Sequence, residues 1–494
     1  MNYLNKCYML IGWLFLMGCT DLVREEYSRI ESDDFFQTEA DCKAAVTDLY
    51  SGNGMIGWFA TGGAHIGALS DLTANHTEFA WNSGWGWDAS HYLYTADKSY
   101  WMNDRYNLLV QGVSKATTLL ERIKNVPMKD ETRARYMAEV RALRCNMIFW
   151  GADVYNGISI MDDPEELADI SGKAYYRPRA TQQESMDYIN AEVEEIIDDL
   201  PPKYAKGDAD FGRMTQGALL TIQLKMLMQQ HQYKKAEEVA RKITEIGYGL
   251  VHDYEQIFTI ENEMNEETIL SYPCVANQMP GNQYQAHWLT GNYPNSNPGS
   301  IKWGVYKLKW HFIDSFDPED DRLNLIVQGY TAIDGKVIER GQDELTYGGL
   351  VLKYNEDPAA AGFNHGNDMI MFRYADVLLL LAEAIAENNG GPTQEAIDLV
   401  NQIRRRAFPD HPEKLYELTD FQGNLESFRN ALLDERGWEL YAEFVRRQDL
   451  IRFGKFDEEA LKVNENYTPG KKYFPIPNWI VHQSGGVISQ NAGY

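Results

Sequence analysis

Phe372-Arg373-Tyr374-Ala375-Asp376-Val377-Leu378-Leu379-Leu380-Leu381-Ala382-Glu383-Ala384 is the stretch that decides the fold. Tyr374, Val377, Leu378, Leu381, Ala384 and Ile385 recur at three- and four-residue steps and therefore share one helical face. Asn388-Asn389-Gly390-Gly391-Pro392 breaks that helix, and Ala396, Leu399, Val400 and Ile403 resume the period. The two runs make a helix–turn–helix hairpin of about 34 residues, the size of a tetratricopeptide unit.

Working outward, the same pattern returns. Leu219, Ile222, Leu224, Leu227 and Met228 share one helix, Gln230-His231-Gln232 turns the chain, and Tyr233, Ala236, Val239, Ala240 and Ile243 form a second helix that stops at Gly247. Helical runs at 99–124 and 131–150 form a third candidate hairpin, and those at 183–200 and 425–453 have no assigned partner. A single hairpin cannot bury its apolar face alone, so neighbours must stack. The expected class is mostly α: stacked tetratricopeptide-like hairpins with long irregular loops and minor β. The expected segments are a leader at 1–18, a helical region at 19–250 and a second region at 251–494.

Two segments depart from the helical period. Residues 51–98 and 272–306 are rich in Gly, Asn, Trp and Tyr. Loops of this length inside a compact domain are uncommon and usually functional. Five of the twelve tryptophans (58, 81, 85, 87 and 101) lie between 58 and 101. In the first loop, Trp81, Asn82, Trp85, Trp87 and Asp88 alternate rings with small and polar residues, and Gly84 and Gly86 let the backbone approach whatever the rings touch. In the second, Tyr284, Trp288, Asn292, Tyr293, Asn295, Asn297 and Trp303 repeat that chemistry. A pyranose offers a C–H face to a flat ring and hydroxyls to amides and carboxylates, and a ring supplies contact area at low entropic cost. The alternative is that these rings pack the loops onto the helical body.

The N-terminus points outside the cytoplasm. Lys6 precedes an apolar run from Met9 to Gly18, too short to span a bilayer and of signal-peptide length. Cys19 follows a Leu-x-Gly step that resembles a bacterial lipobox, so it is the expected site of lipidation and the first residue of the mature chain. Three cysteines remain beyond it, at 42, 145 and 274, without CxxC spacing, which fits structural thiols better than a disulfide framework or zinc site.

Composition removes other classes. The 494 residues include 46 Lys and Arg against 73 Asp and Glu, a net charge of −27. Nucleic acid and anionic lipid surfaces both need basic patches, so neither is an expected partner. No metal site is expected: the histidines show no H-E-x-x-H, and Asp317-Pro318-Glu319-Asp320-Asp321 lacks EF-hand spacing and reads as a turn. Gly52-Asn53-Gly54-Met55-Ile56-Gly57 matches G-x-G-x-x-G without a βαβ unit around it, so no dinucleotide cofactor is expected. Glu435, Glu439 and Glu443 fall on one helix face near Arg436, Arg446, Arg447, Asp449 and Arg452, the pattern of a structural ion-pair network rather than a glycosidase pair.

At the C-terminal hairpins the sequence resembles the SusD/RagB family. The block from Phe372 to Ala384 is similar to its R-Y-A-(D/E)-V-L-L-x-x-A-E-A helix, and Val400-Asn401-Gln402-Ile403-Arg404 to its I-N-x-(I/V)-R helix. Glu435-Arg436-Gly437-Trp438-Glu439-Leu440 with Arg447-Gln448-Asp449-Leu450-Ile451-Arg452 resembles its E-R-x-x-E-L…R-x-x-D-L-x-R segment. Tyr473-Phe474-Pro475-Ile476-Pro477, the closing Gln490-Asn491-Ala492-Gly493-Tyr494 and the earlier Ala138-Glu139-Val140-Arg141-Ala142-Leu143-Arg144 extend the likeness. Two steps depart from it: Gly151-Ala152-Asp153-Val154-Tyr155 replaces Gly-Asp-Val-Pro, and Ala442-Glu443-Phe444 stands where Phe-Glu-Gly is common. The resemblance implies a surface lipoprotein of the outer membrane that binds glycan, or sometimes peptide, and caps a SusC-like TonB-dependent transporter. It also implies four tetratricopeptide-like units, with the ligand surface on variable loops. The expected function is non-catalytic glycan capture. The alternatives are a protein-interaction scaffold or peptide-binding lid of the transporter, and an all-helical glycoside hydrolase using Asp71, Glu78 or Asp88.

Overall fold

A computed structural model describes residues 35–50, 66–168, 176–278, 281–294 and 297–494. Cys19 with its leader, the Gly52–Gly57 match, Trp58 and Asn295 lie outside the described residues. The long helices are α1 (Tyr100–Ile123), α2 (Asp130–Tyr155), α3 (Gln182–Ile196), α4 (Gln216–Gln229), α5 (Tyr233–Glu245), α6 (Tyr374–Asn389), α7 (Gln394–Ala407) and α8 (Leu425–Leu440). From α1 to α7 each packs on the next in the chain, and α8 lies across α6. The expected mostly helical, tetratricopeptide-like stack is the observed architecture, and α3 and α8 find their partners in it.

The deciding hairpin shows why. Leu378, Leu379, Leu380 and Leu381 are all buried, so the middle of α6 is covered on every side and sits inside the stack. Each such leucine contributes about 2 kcal/mol of transfer free energy. Gly390 ends α6 at φ +69°, a left-handed cap that glycine adopts without cost. Thr393 then starts α7, its hydroxyl accepting from the Ala396 N–H at 3.2 Å.

The described residues also hold eight short strands: β1 (Thr77–Phe79), β2 (Thr268–Tyr272), β3 (Tyr306–Lys309), β4 (Ile326–Val327), β5 (Tyr330–Thr331), β6 (Val337–Ile338), β7 (Gly348–Val351) and β8 (Met369–Arg373). An antiparallel sheet runs β1-β3-β7-β4, with Phe79 opposite Tyr306 and Leu308 opposite Gly349. β2 pairs with β8, and β5 with β6. The two aromatic segments are thus more ordered than their composition indicates. The first contains a helix at Ile66–Leu72, β1 and a helix at Trp85–Ser90; the second contains a helix at Tyr284–Trp288 and enters β3. Pairing of β1 with β3 binds the two segments side by side. That contact joins residues over two hundred positions apart, which local periodicity cannot register.

The glutamate stripe of α8 is structural, as expected, but its partners differ. Glu435 and Glu439 are fully buried and meet Arg322, Arg373, Arg404 and Arg406. Arg322 also takes Asp320 at 2.7 Å, and Arg373 reaches Glu267 at 2.8 Å and Glu443 at 2.6 Å. Arg436 and Arg452 instead serve a second cluster with Asp376, Asp449, Glu383 and Lys225. The three arginines around Glu439 hold its carboxyl far below the ordinary range, despite complete burial.

The departure at Ala442-Glu443-Phe444 leaves a visible mark. Phe444 takes φ +69°, a conformation that suits glycine. Its N–H donates to Asp71 Oδ2 at 3.3 Å, and its ring covers Gly67, where an added Cβ would fall 2.6 Å from the ring. Ring burial thereby offsets the backbone strain and pins the Ile66–Leu72 helix, which underlies the first aromatic segment.

Candidate functional site

The site is built on the β1–β3 pairing. Phe79, buried, meets Trp81 at 6.1 Å and Trp85 at 5.2 Å between ring centroids on one side, and Tyr306 at 6.1 Å across the ladder. Tyr306 stacks on His287 at 5.3 Å, His287 meets Trp303 edge-on at 4.9 Å, and Trp303 lies 5.1 Å from Phe363. These contacts form one unbroken chain of rings across both aromatic segments. Its centre is buried and its ends are open. Trp81 is 53% exposed and Phe363 37%, while Trp85 and Trp303 are half-buried. Burial pushes His287 down to about 4, so a neutral ring sits at the centre of the chain.

Local sequence explains the first end. Gly84 turns the chain at φ +92°, a conformation glycine reaches freely, and opens the Trp85–Ser90 helix. Gly86 does not face an outside ligand: an added Cβ would lie 2.1 Å from the Phe79 ring, so its bare backbone lets the helix close on the protein's own core. Trp87 is half-buried and stacks on His91 at 3.6 Å. Asp88 is half-buried on the same helix. Asn82 is exposed, and its Oδ1 accepts from the Tyr347 hydroxyl at 2.8 Å.

The second segment divides. Tyr284 and Trp288, expected at the ligand surface, are 5% and 2% exposed. Every residue of the short Tyr284–Trp288 helix is buried; Tyr284 packs on Tyr354 at 4.7 Å and Trp288 on Tyr306 at 5.5 Å. Those two rings hold the loop to the body and offer no open face. Asn297 is likewise structural, its amide donating to the Asp357 and Ala360 carbonyls. Tyr293 and Asn292 are half-buried and gather around Tyr330: the Asn292 Oδ1 accepts from Tyr330 at 2.6 Å, and Tyr293 meets the Tyr330 ring at 5.2 Å. Trp303 remains as the second segment's contribution to the open end. Tyr347 and Phe363 join the site without having been singled out in the sequence. β7 carries Tyr347 in, and the Ser300–Gly362 bridge carries Phe363, so no local pattern marks them.

The carboxylates of the hydrolytic alternative do not open together onto this surface. Asp71 is sealed inside beside Phe444 and His76, and desolvation raises it to about 8. Glu78 is held by Ser90 at 2.9 Å and Lys309 at 3.3 Å. Among the described residues, Glu319, His411 and Glu413 bring potential metal-ligand atoms together, but the Lys414 ammonium occupies Glu319 and Asp317 at 2.9 and 2.6 Å. No described helix is long and apolar enough to cross a membrane.

The described residues thus form a repeat scaffold of stacked helical hairpins with a ring surface on its inserted segments. A sequence profile of the SusD family matches residues 322–494. A SusD-like protein of Formosa agariphila is 24% identical over 96% of each chain, and the starch-binding protein SusD of Bacteroides thetaiotaomicron is 24% identical over 74% of each. Among solved structures, a SusD homologue of B. thetaiotaomicron superposes with TM-score 0.79 at 22% identity, covering 94% of this chain and 99% of that one. Surface glycan-binding protein A of the same organism, in complex with laminarihexaose, gives 0.74 at 19% identity over 92% and 100%. Residues 322–494 thus match the SusD family, and the chain shares the fold of SusD-like structures.

Proposed function

We propose that this protein captures a glycan outside the cell and passes it to a SusC-like TonB-dependent transporter, while Cys19 carries the lipid that holds it to the outer membrane. The observation that carries the reading is the continuous ring chain with open ends at Trp81/Trp85 and Trp303/Phe363. Exposed rings on a rigid support stack on sugar faces, while Asn82, Asp88 and Tyr347 at the rim meet hydroxyls. Relatives support it: one bears the name starch-binding protein, and one structural neighbour holds laminarihexaose. Trp87, Asn292 and Tyr293 belong to the flanks of this surface. Tyr284 and Trp288 act as its foundation.

A single site of this kind is weak, because sugars give up good hydration on binding. Attachment beside a transporter raises the effective concentration of captured ligand at the point of use. The test is affinity electrophoresis of the purified protein through gels containing polysaccharides, with a reducing-sugar assay in parallel. Retardation by at least one polymer without release of reducing ends supports the reading. Free migration in every polymer, or steady release of reducing sugar, overturns it.

A further inference from the structure

We infer that the ligand of this ring platform is an uncharged glycan, without carboxylate or sulfate groups; the inference rests on the glycan-binding reading above. Its first support is the distribution of charge. The chain is 24% charged, yet residues 272–301 contain no Asp, Glu, Lys or Arg at all. Between Ser51 and Asp97 there is no lysine or arginine, only the acids Asp71, Glu78, Asp88 and Asp97. Apart from Lys98 and Lys302 near their C-terminal ends, both segments lack lysine and arginine, in a protein whose net charge is already −27.

The second support is the state of the cations that flank them. Lys302 precedes Trp303, but its ammonium is bound to Glu356 and is itself buried. Lys309, at the end of β3, lies 3.3 Å from Glu78. Arg340 covers the Trp310 ring at 4.3 Å and binds Asp314 at 2.6 Å. Lys307 is buried with its ammonium on the Gly304 and Tyr306 carbonyls, and desolvation lowers it to about 7. Recognition of carboxylate or sulfate calls for a guanidinium fork or an available ammonium. Lys302, Lys307 and Lys309 are buried and already engaged within the protein, and Arg340 is paired with Asp314 at the surface. A carboxylate and an amide remain at the rim: Asp88, half-buried, and Asn82, exposed. Those groups suit hydroxyl donors. A polyanion would meet them as like charge without compensation.

The experiment compares retention of the purified protein by neutral polymers (starch, laminarin, xyloglucan, galactomannan) and by anionic ones (alginate, carrageenan, heparin). The best-retained neutral polymer is then oxidised at its primary hydroxyls to the uronate, and part of that product is converted to the uncharged amide. The expected result is binding to a neutral polymer, at least tenfold weaker binding to its uronate at low salt, and recovery in the amide. Added salt should narrow the gap, because it screens repulsion. Equal or tighter binding to the uronate, or binding to anionic polymers alone that weakens as salt rises, overturns the inference while leaving the platform reading in place. Failure to bind any polymer overturns the platform reading and this inference with it.

Discussion

Asp71 illustrates how burial decides what a residue can do. An unfolded aspartate titrates near 4, whereas the folded protein raises Asp71 to about 8. The folded state therefore holds this proton more tightly. The stability it confers is complete below about pH 4 and is lost as pH rises through about 8. Asp71→Asn keeps an oxygen for the Phe444 N–H and removes the titration. Its melting temperature should gain on that of the wild type as pH rises from about 5 to about 9; parallel curves would show that Asp71 is not the group responsible. Tryptophans separate in the same way. Trp288→Ala empties a core position and should cost about 3–5 kcal/mol in a urea titration. Trp81→Ala, at a 53% exposed position, should change stability by no more than about 0.5 kcal/mol. Residue type alone cannot distinguish those two indoles, because the difference between them is made by neighbours remote in sequence.

Among the elements, α8 bears the greatest electrostatic demand. Its Glu435 and Glu439 bind arginines from the turn before β4, from β8 and from α7. Removing one cation leaves carboxylates buried without compensation. Arg322→Leu should therefore destabilise the fold by about 3–5 kcal/mol by chemical denaturation, while a loss under 1 kcal/mol would mean the cluster relaxes around the gap. The helices were legible because their apolar residues repeat within four positions, as in Tyr374 to Ile385. The glutamate stripe was legible as structural for the same reason, since its spacing is local. Its true partners were not, because Arg322 and Arg373 lie outside the helix. The β1–β3 pairing, and with it the joining of the two aromatic segments, depends on contacts between residues 77–79 and 306–308 that carry no periodic signal. Residue type alone points to Asn82 and Trp303 as candidates, whereas Tyr347 and Phe363 reach the same surface from elements that the topology delivers.

At the scale of the whole molecule, the helical stack is a support, and the proposed reading places ligand capture at the β1–β3 seam. Most of the family blocks quoted from the C-terminal half fall in α6, α7, α8 and the ion clusters that lock them, while Phe474 and Tyr494 of the closing blocks pack on Tyr94. The ring surface is held by packed rings and by amides bonded to backbone, such as Gln285 to the Tyr354 carbonyl at 2.6 Å, so binding there as proposed would require little ordering. The central claim is that both aromatic segments serve one ligand surface. Isothermal titration of a retained glycan into wild type, Trp81→Ala and Trp303→Ala tests it most directly. Binding should be at least tenfold weaker in each variant, with melting temperatures near that of the wild type. Wild-type affinity in both variants would contradict it.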